Sequence, residues 1–241
     1  SILLSGVLLK MGAYGLIRAT ETLPAALLAT QDWLAMLGFF SLLYGGILAW
    51  RQQDLKAMVA YSSISHMGVV LLGIATLNVT GLTGAVMQMV AHGLTAGLLF
   101  MIVGLLYQRT HSRDLADYGS LLGRAPRFAF FVAFALLAAI GLPGSAGFIA
   151  ELHVLIGGFG SWGGWVLIIC LGMLIGAAYG LRVIGRLCQK GEPMALGDMT
   201  RTELSAAVIL ALCIVFLGLW PAPLLTLVAG SVAQVGHLFG T

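Results

Sequence analysis

Charge is what this sequence has least of: 12 Lys and Arg and 9 Asp and Glu in 241 residues, or 9%, where a soluble domain carries about 25%. So few charges do not cover the surface of a globule of this size in water, which excludes a soluble enzyme and a nucleic-acid binder first. Cysteine is scarcer still. Cys170, Cys188 and Cys213 lie in or at the edges of apolar stretches with no CxxC pair, so neither a disulfide framework nor a zinc or iron–sulfur site is indicated, and all three read as packing residues. There is no GxxxxGK phosphate loop, no HExxH, no GxSxG and no acidic oxygen cage for calcium, so neither metal nor cofactor chemistry is expected on this chain.

What the sequence has in quantity is apolar residues, 60% of the chain, in runs cut at intervals that suit membrane helices of about 20 residues. Seven spans follow: Ser1 to about Ile17, Trp33 to Trp50, Ala57 to Leu77, Leu82 to Gln108, Phe128 to Phe159, Gly163-Gly164 to about Leu181, and Leu204 to Trp220. The fifth is interrupted at 141–147 by Gly141-Leu142-Pro143-Gly144-Ser145-Ala146-Gly147. Pro221 and Pro223 end the seventh, because proline lacks a donor N–H and blocks the helix. The tail from Leu224 to Phe239, at about 1.5 Å per residue, is too short to cross about 30 Å of hydrocarbon and reads as interfacial. The predicted fold is an all-α, polytopic transmembrane helix bundle.

Threading the seven spans alternately puts Arg51, Lys56, Arg109, Arg113, Arg124, Arg127, Arg182, Arg186, Lys190 and Arg201 on one face and only Arg18 on the other. By the positive-inside rule the first face is cytoplasmic, with the N-terminus there and the C-terminus opposite. The net charge of +3 therefore encodes orientation rather than an anionic partner. Ser1-Ile2-Leu3-Leu4 is already mid-span, with no initiator Met, basic flank or signal-peptide cleavage pattern, which predicts a piece of a longer chain.

Of the Lys, Arg, Asp and Glu residues, only Lys10 and Glu151 fall well inside spans. A charge at a helix centre costs at least about 2.5 to 3.5 kcal/mol, so its presence points to an ion pathway. Lys10 has roughly 13 Å of helix on either side, more than its side chain can snorkel. Glu151 follows the Gly-Leu-Pro-Gly interruption, where a second half-helix should begin with its free amides and positive dipole end. It is either a charged cap or a carboxyl poised between protonated and ionised. The second reading is favoured, since broken helices at bilayer depth are tolerated where they line a cavity or ion site.

His92 sits near the centre of the fourth span with Gln88 one turn before it on the same face. Histidine titrates near physiological pH, which fits a relay; the alternative is a neutral imidazole bonded to a helix carbonyl. His66 closes the hydroxyl-rich stretch Tyr61-Ser62-Ser63-Ile64-Ser65-His66, whose hydroxyls, Ser65 among them, either hold water or bond back to the helix. Lys56 begins the third span, as an interfacial cation or as lining of the cytoplasmic mouth. His153, about 200° round the helix from Glu151, and His111 and His237, in a loop and the tail, read as structural. What remains is a file of Lys, His and Glu at membrane depth, which is what a proton needs.

Leu8-Leu9-Lys10-Met11-Gly12-Ala13-Tyr14-Gly15-Leu16-Ile17-Arg18, Asp54-Leu55-Lys56-Ala57-Met58-Val59-Ala60-Tyr61-Ser62-Ser63-Ile64-Ser65-His66-Met67-Gly68, Ala91-His92-Gly93-Leu94 and Gly141-Leu142-Pro143-Gly144 together resemble the antiporter-like, proton-pumping membrane subunits of respiratory complex I, an NADH:quinone oxidoreductase. The resemblance covers nearly the whole chain. Through His111-Ser112-Arg113-Asp114-Leu115 it is closest to the M-type members (mitochondrial subunit 4). The family often has Gly before the glutamate and Phe after it, where this chain has Ala150 and Leu152.

The resemblance implies the C-terminal half of a fold built from two inverted five-helix repeats. Residues 1–17 would be the last helix of the first repeat, 33–187 the second repeat with its broken helix at Gly141, Pro143 and Gly144, and 204–241 a terminal span and tail. Lys10 is similar to the family's central lysine, Glu151 to the acidic residue of the second broken helix, on the outlet side, and His66 and His92 to histidines of the hydrated axis. The first repeat's acidic residue and lysine should lie before Ser1.

The implied function is proton translocation in a bacterial inner membrane or another energy-transducing membrane, as a non-redox subunit. NADH, FMN, iron–sulfur clusters and quinone would be bound by partner membrane and peripheral subunits, with the lipid bilayer as solvent and no nucleic acid. The same domain recurs in Mrp-type cation/proton antiporters and membrane-bound hydrogenases, which stay open as alternatives. So does a purely structural module in which Lys10 and Glu151 form a buried ion pair that fixes helix packing.

Overall fold

A computed structural model describes residues 1–119, 121–187 and 196–239; Cys188 and Lys190 lie outside the described residues. The first expected span is one helix in two pieces, a π-helical turn at Leu4–Leu8 running into α1 (Leu9–Thr22). A short α2 (Pro24–Ala29), in what reads as a loop, leads to α3 (Gln31–Arg51), α4 (Leu55–Ala75) and α5 (Val79–Thr110). After a 3-10 turn at Leu115–Tyr118 and the single turn α6 (Leu121–Arg124), the fifth expected span is again in two pieces, α7 (Pro126–Ala139) and α8 (Ala146–Trp162). A 3-10 turn at Gly163–Ile168 opens α9 (Ile169–Leu187), followed by α10 (Arg201–Leu219) and α11 (Ala222–His237). The helices α3, α4, α5, α9 and α10 are each long and apolar enough to cross a membrane unbroken.

Helix boundaries differ from span boundaries because hydrogen bonding, not polarity, ends a helix. The Asn78 side chain accepts from Gly81 N at 2.9 Å, which starts α5 at Val79 instead of Leu82. Thr200 and Glu203 form a reciprocal capping box, which draws the charged residues Arg201 and Glu203 into the first turn of α10. Asp54 caps α4 in the same way, accepting from Ala57 N at 2.9 Å.

The loops at one end are tied together through the residues that carry the positive charge. Leu55 N donates to Arg113 O at 2.8 Å and Leu115 N to Gln53 O at 2.9 Å, pairing Asp54 with Asp114. Arg182 donates to the Trp50 carbonyl and, at 3.2 Å, to Gln53 Oε1. Arg109 pairs with Glu203 at 2.6 Å, and Arg127 donates to Met199 O at 3.1 Å. This is the basic end. At the other end sit Trp33, Trp165 and Trp220, all strongly exposed, with Trp162 donating to Asp32, as an aromatic belt at a membrane surface requires.

α3 and α4 approach backbone to backbone. A β-carbon on Gly68 would stand 2.6 Å from Gly38 O, so only glycine fits there. The apolar core lies towards the basic end, where Leu98, Ile102 and Leu106 of α5 meet Phe128 and Leu136 of α7 and Ile214 of α10. The tail is α11, which lays Val232 and Val235 against Leu82 of α5. Among the described residues the buried ionisable side chains Lys10, His66, His92 and Glu151 lie on α1, α4, α5 and α8.

Candidate functional site

In the π turn the N–H of Leu9 reaches back five residues to Leu4 O, against four in an α-helix. The ladder is displaced there, and the Lys10 ammonium donates to the carbonyl of Ser5. The Ser5 hydroxyl in turn lies 3.0 Å from Ser63 Oγ on α4. Lys10 is buried, at 8% exposed. Among the described residues Lys10 and Glu151 do not pair with each other. The buried ion pair that the structural-module reading needs is therefore not formed.

His66 and His92 face one another across α4 and α5, with ring centroids 5.0 Å apart and planes tilted by 33°. Gln88 stacks below His92 in sequence, yet its Nε2 lies 3.4 Å from Nδ1 of His66, so it addresses the histidine of the neighbouring helix. The Nε2 atoms of both histidines and Gln88 Oε1 are buried without a hydrogen-bond partner. Lys10, His66 and His92 lie within electrostatic reach of one another, so three of the four groups read from the sequence are one cluster.

Glu151 stands apart from that cluster, and it is not a cap. Ser145 occupies the N-cap position of α8 and Glu151 is the sixth residue of the helix, beyond the free amides of the first turn. Its carboxylate turns back onto the break and rests against Gly141, where a β-carbon would collide with Oε2; that oxygen has no hydrogen-bond partner. Gly141 also has φ +75°, so glycine is required on both counts. Ser145 N donates to Leu142 O at 2.9 Å, closing a turn with Pro143 and Gly144 at its centre. Gly144 has φ +94°, as a type II turn demands of its third residue.

Tyr179 of α9 does not emerge from the sequence reading. It is buried and lies within electrostatic reach of Glu151. The signal was a lone phenol in an apolar helix between Gly176 and Gly180. Ser5 is absent from that reading too, and Ser63, one hydroxyl of the stretch before His66, both bonds back to Val59 O and meets Ser5. Ser65 turns away from the seam and donates to Leu42 O on α3 at 2.8 Å, and His153 Nδ1 is 2.8 Å from Ile149 O of its own helix.

Lys56 lines a cavity of 410 Å³ at the basic end together with Asp54, Arg113, Ser5 and Ser63; Ser5 is the residue whose carbonyl Lys10 bonds. An apolar groove of 640 Å³ runs along the other flank of the same helix, with Lys10 and Tyr14 among its lining residues. Outside the spans, burial and the neighbouring Asp117 and Asp54 raise the Tyr118 phenol above its ordinary value, against a lowering hydrogen bond from Thr110. Among the described residues no group of three or more His, Cys, Asp or Glu side chains is placed to hold a metal ion.

Known proteins share this fold. The family described as NADH:quinone oxidoreductase/Mrp antiporter, TM, matches residues 1–176. NADH-quinone oxidoreductase subunit M of Pseudomonas aeruginosa is 39% identical over 253 residues, covering 100% of this chain and 48% of the relative. Respiratory complex I from Thermus thermophilus contains a chain that superposes with TM-score 0.92 at 28% identity, over 97% of this chain and 50% of that one. An archaeal membrane-bound sulfane sulfur reductase superposes with TM-score 0.82 at 28% identity, over 91% of this chain and 39% of its own. The chain spans about half the length of the curated relatives it matches.

Proposed function

Because this chain belongs to the NADH:quinone oxidoreductase/Mrp antiporter transmembrane family, we propose that it carries protons across an energy-transducing membrane as an M-type subunit of an NADH:quinone oxidoreductase. Its basic end faces the cytoplasm of a bacterial inner membrane. One observation carries the reading: a buried lysine with no carboxylate partner, within electrostatic reach of two buried histidines and bonded to Ser5, which lines a cavity at the basic end.

Protons enter beside Lys56, reach Lys10 by way of Ser5 and Ser63, and pass the histidine pair towards Glu151. A lysine in water titrates near 10.4, so it holds its proton at pH 7 unless its surroundings change. A carboxylate that approaches and withdraws supplies the change, and in this chain Lys10 is free of one. Each proton moved against 100 mV requires about 2.3 kcal/mol, delivered by neighbouring subunits that hold NADH, FMN, iron–sulfur clusters and quinone. No redox step falls on these residues.

The test is Lys10→Ala and Glu151→Gln in the complete assembly, with NADH-driven quinone reduction and proton uptake measured together. Pumping is expected to vanish in both while the complex still assembles; wild-type proton stoichiometry in Lys10→Ala would falsify the proposal. Failure of either variant to assemble would return the structural-module reading. Sodium-dependent exchange without NADH-driven pumping would move the chain to the Mrp-type antiporters named in its family description.

A further inference from the structure

A groove opens between α3 and α9 at the tryptophan-bearing end of the bundle, and no proton-carrying group lines it. Lower down the two helices touch, for a β-carbon on Gly172 would collide with Leu42. Towards the membrane surface they part around a cavity of 250 Å³, whose α3 wall includes Asp32, Met36 and Phe39. These residues are four and three positions apart, so they share one helix face. Ile169 of α9 and Leu72 of α4 stand opposite. From Asp32 to Phe39 the groove descends about 10 Å, at 1.5 Å per residue, from the surface into hydrocarbon.

Two indoles close its upper end. Trp162 is the last residue of α8 and Trp165 lies in the following 3-10 turn, yet both line this cavity. Between them Gly163 takes φ +61° and ψ −143°, a conformation that favours glycine because it has no β-carbon. Trp165 is 77% exposed, which leaves its ring free to lie against an occupant.

Asp32 carries the charge of the groove. Trp162 Nε1 donates to its Oδ1 over a long 3.4 Å, and among the described residues no cationic side chain pairs with it. A carboxylate has about four acceptor positions, so most of this one is unspent. A negative charge and two aromatic faces above an apolar trough complement a cation that carries a hydrocarbon tail. A primary ammonium brings three N–H donors for the free acceptor positions, where a quaternary ammonium brings none and a glycerol headgroup has no positive charge.

We propose that this groove binds a membrane phospholipid with a primary-amine headgroup, phosphatidylethanolamine. Its ammonium sits on Asp32 against Trp162 and Trp165, and one acyl chain lies along Met36, Phe39 and Ile169. The site stands independently of the roles of Lys10 and Glu151.

The test reconstitutes the complete assembly with phosphatidylethanolamine bearing a photoactivatable diazirine in its acyl chain, and separately with the matching phosphatidylglycerol. Mass spectrometry of the digested chain then locates and counts the adducts. The amine lipid is expected to label Met36, Phe39 or Ile169, and the glycerol lipid several-fold less. Asp32→Asn and Trp165→Ala should each lower the amine-lipid adduct by roughly two- to fivefold, the weight of one exposed ion pair or one cation–π contact. Trp220→Ala, which removes an exposed tryptophan outside the groove, should leave it unchanged. Equal labelling by the two lipids would mean that the groove takes any acyl chain, and overturns the proposal. So does an absence of adducts, as when a neighbouring subunit fills the groove, or an undiminished adduct in assembled Asp32→Asn. If that variant does not assemble, the comparison of the two lipids on the wild type and the adduct in Trp165→Ala decide.

Discussion

The helix through Leu4–Thr22 and its neighbour α4 bond to one another at Ser5 and Ser63, yet they are built on different rules. α4 keeps its ladder intact over Leu55–Ala75 and buries only polar groups that are neutral or able to be so, Ser62, Ser63, Ser65 and His66. The other helix slips its ladder at Leu4–Leu8 and buries Lys10 two residues later. The broken pair α7 and α8 also sets a charge beside an interruption, Glu151 against Gly141, but there Oε2 takes no backbone donor. An intact helix has spent its backbone carbonyls and amides on itself, so a charge within it has only other side chains to turn to. An interrupted helix releases backbone groups at membrane depth, where the interior lacks bulk water to solvate an ion.

This difference is open to attack at its glycines. Gly141→Ala places a β-carbon both at φ +75° and on the Glu151 carboxylate. It is expected to destabilise the fold by roughly 2 to 5 kcal/mol from left-handed strain and overpacking together, and to silence pumping in whatever assembles. Gly144→Ala meets the strain at φ +94° with only an ordinary contact, Leu219 Cδ2 at 3.8 Å, around it, so its loss should be only about 1 to 2 kcal/mol. Thermal unfolding of the purified assembly ranks the two, and equal losses would mean that the carboxylate does not rest on Gly141.

Gly68→Ala attacks an intact span instead. Its β-carbon meets Gly38 O at 2.6 Å, and about 1 to 3 kcal/mol of overpacking follows. Protons pumped per electron should be unchanged in the fraction that assembles, because no charged group is displaced. A changed stoichiometry would blur the distinction between the two kinds of helix.

The smallest effect lies outside the spans, at the clasp of the basic end. Tyr118 donates to Ser112 O at 2.6 Å, and its phenol is raised by burial. A raised phenol keeps its proton in the folded state after the unfolded chain has begun to lose it near pH 10, so its contribution to stability is complete below about pH 10 and declines above it. Alkaline unfolding should therefore be steeper in the wild type than in Tyr118→Phe, by a margin visible only above that pH.

Lys10 and Glu151 were legible as single residues, because a charge in an apolar run is conspicuous in one dimension. The same holds for the break, where Gly141, Pro143 and Gly144 spell out their own turn chemistry, and for the bundle, whose spans are marked by composition. Ser65 and Ser63 were not separable from each other, since both belong to one hydroxyl-rich stretch and only the neighbouring helix decides which faces α3 and which faces Ser5. Gln88 shows the same limit: its spacing points to His92, and packing gives it to His66.

The amino-acid sequence by itself determined the helical membrane class, the placement of positive charge, the helix break and the identity of the two intramembrane charges. These follow from hydropathy, proline and glycine, which act locally along the chain. The tertiary structure decided that Lys10 is seated on a carbonyl rather than on Glu151, that Glu151 stands apart from the histidines, and that Gln88 addresses His66. Those outcomes depend on the rotation and depth at which separate helices meet, and a hydrogen bond a few ångströms long is not encoded in the spacing of either partner alone.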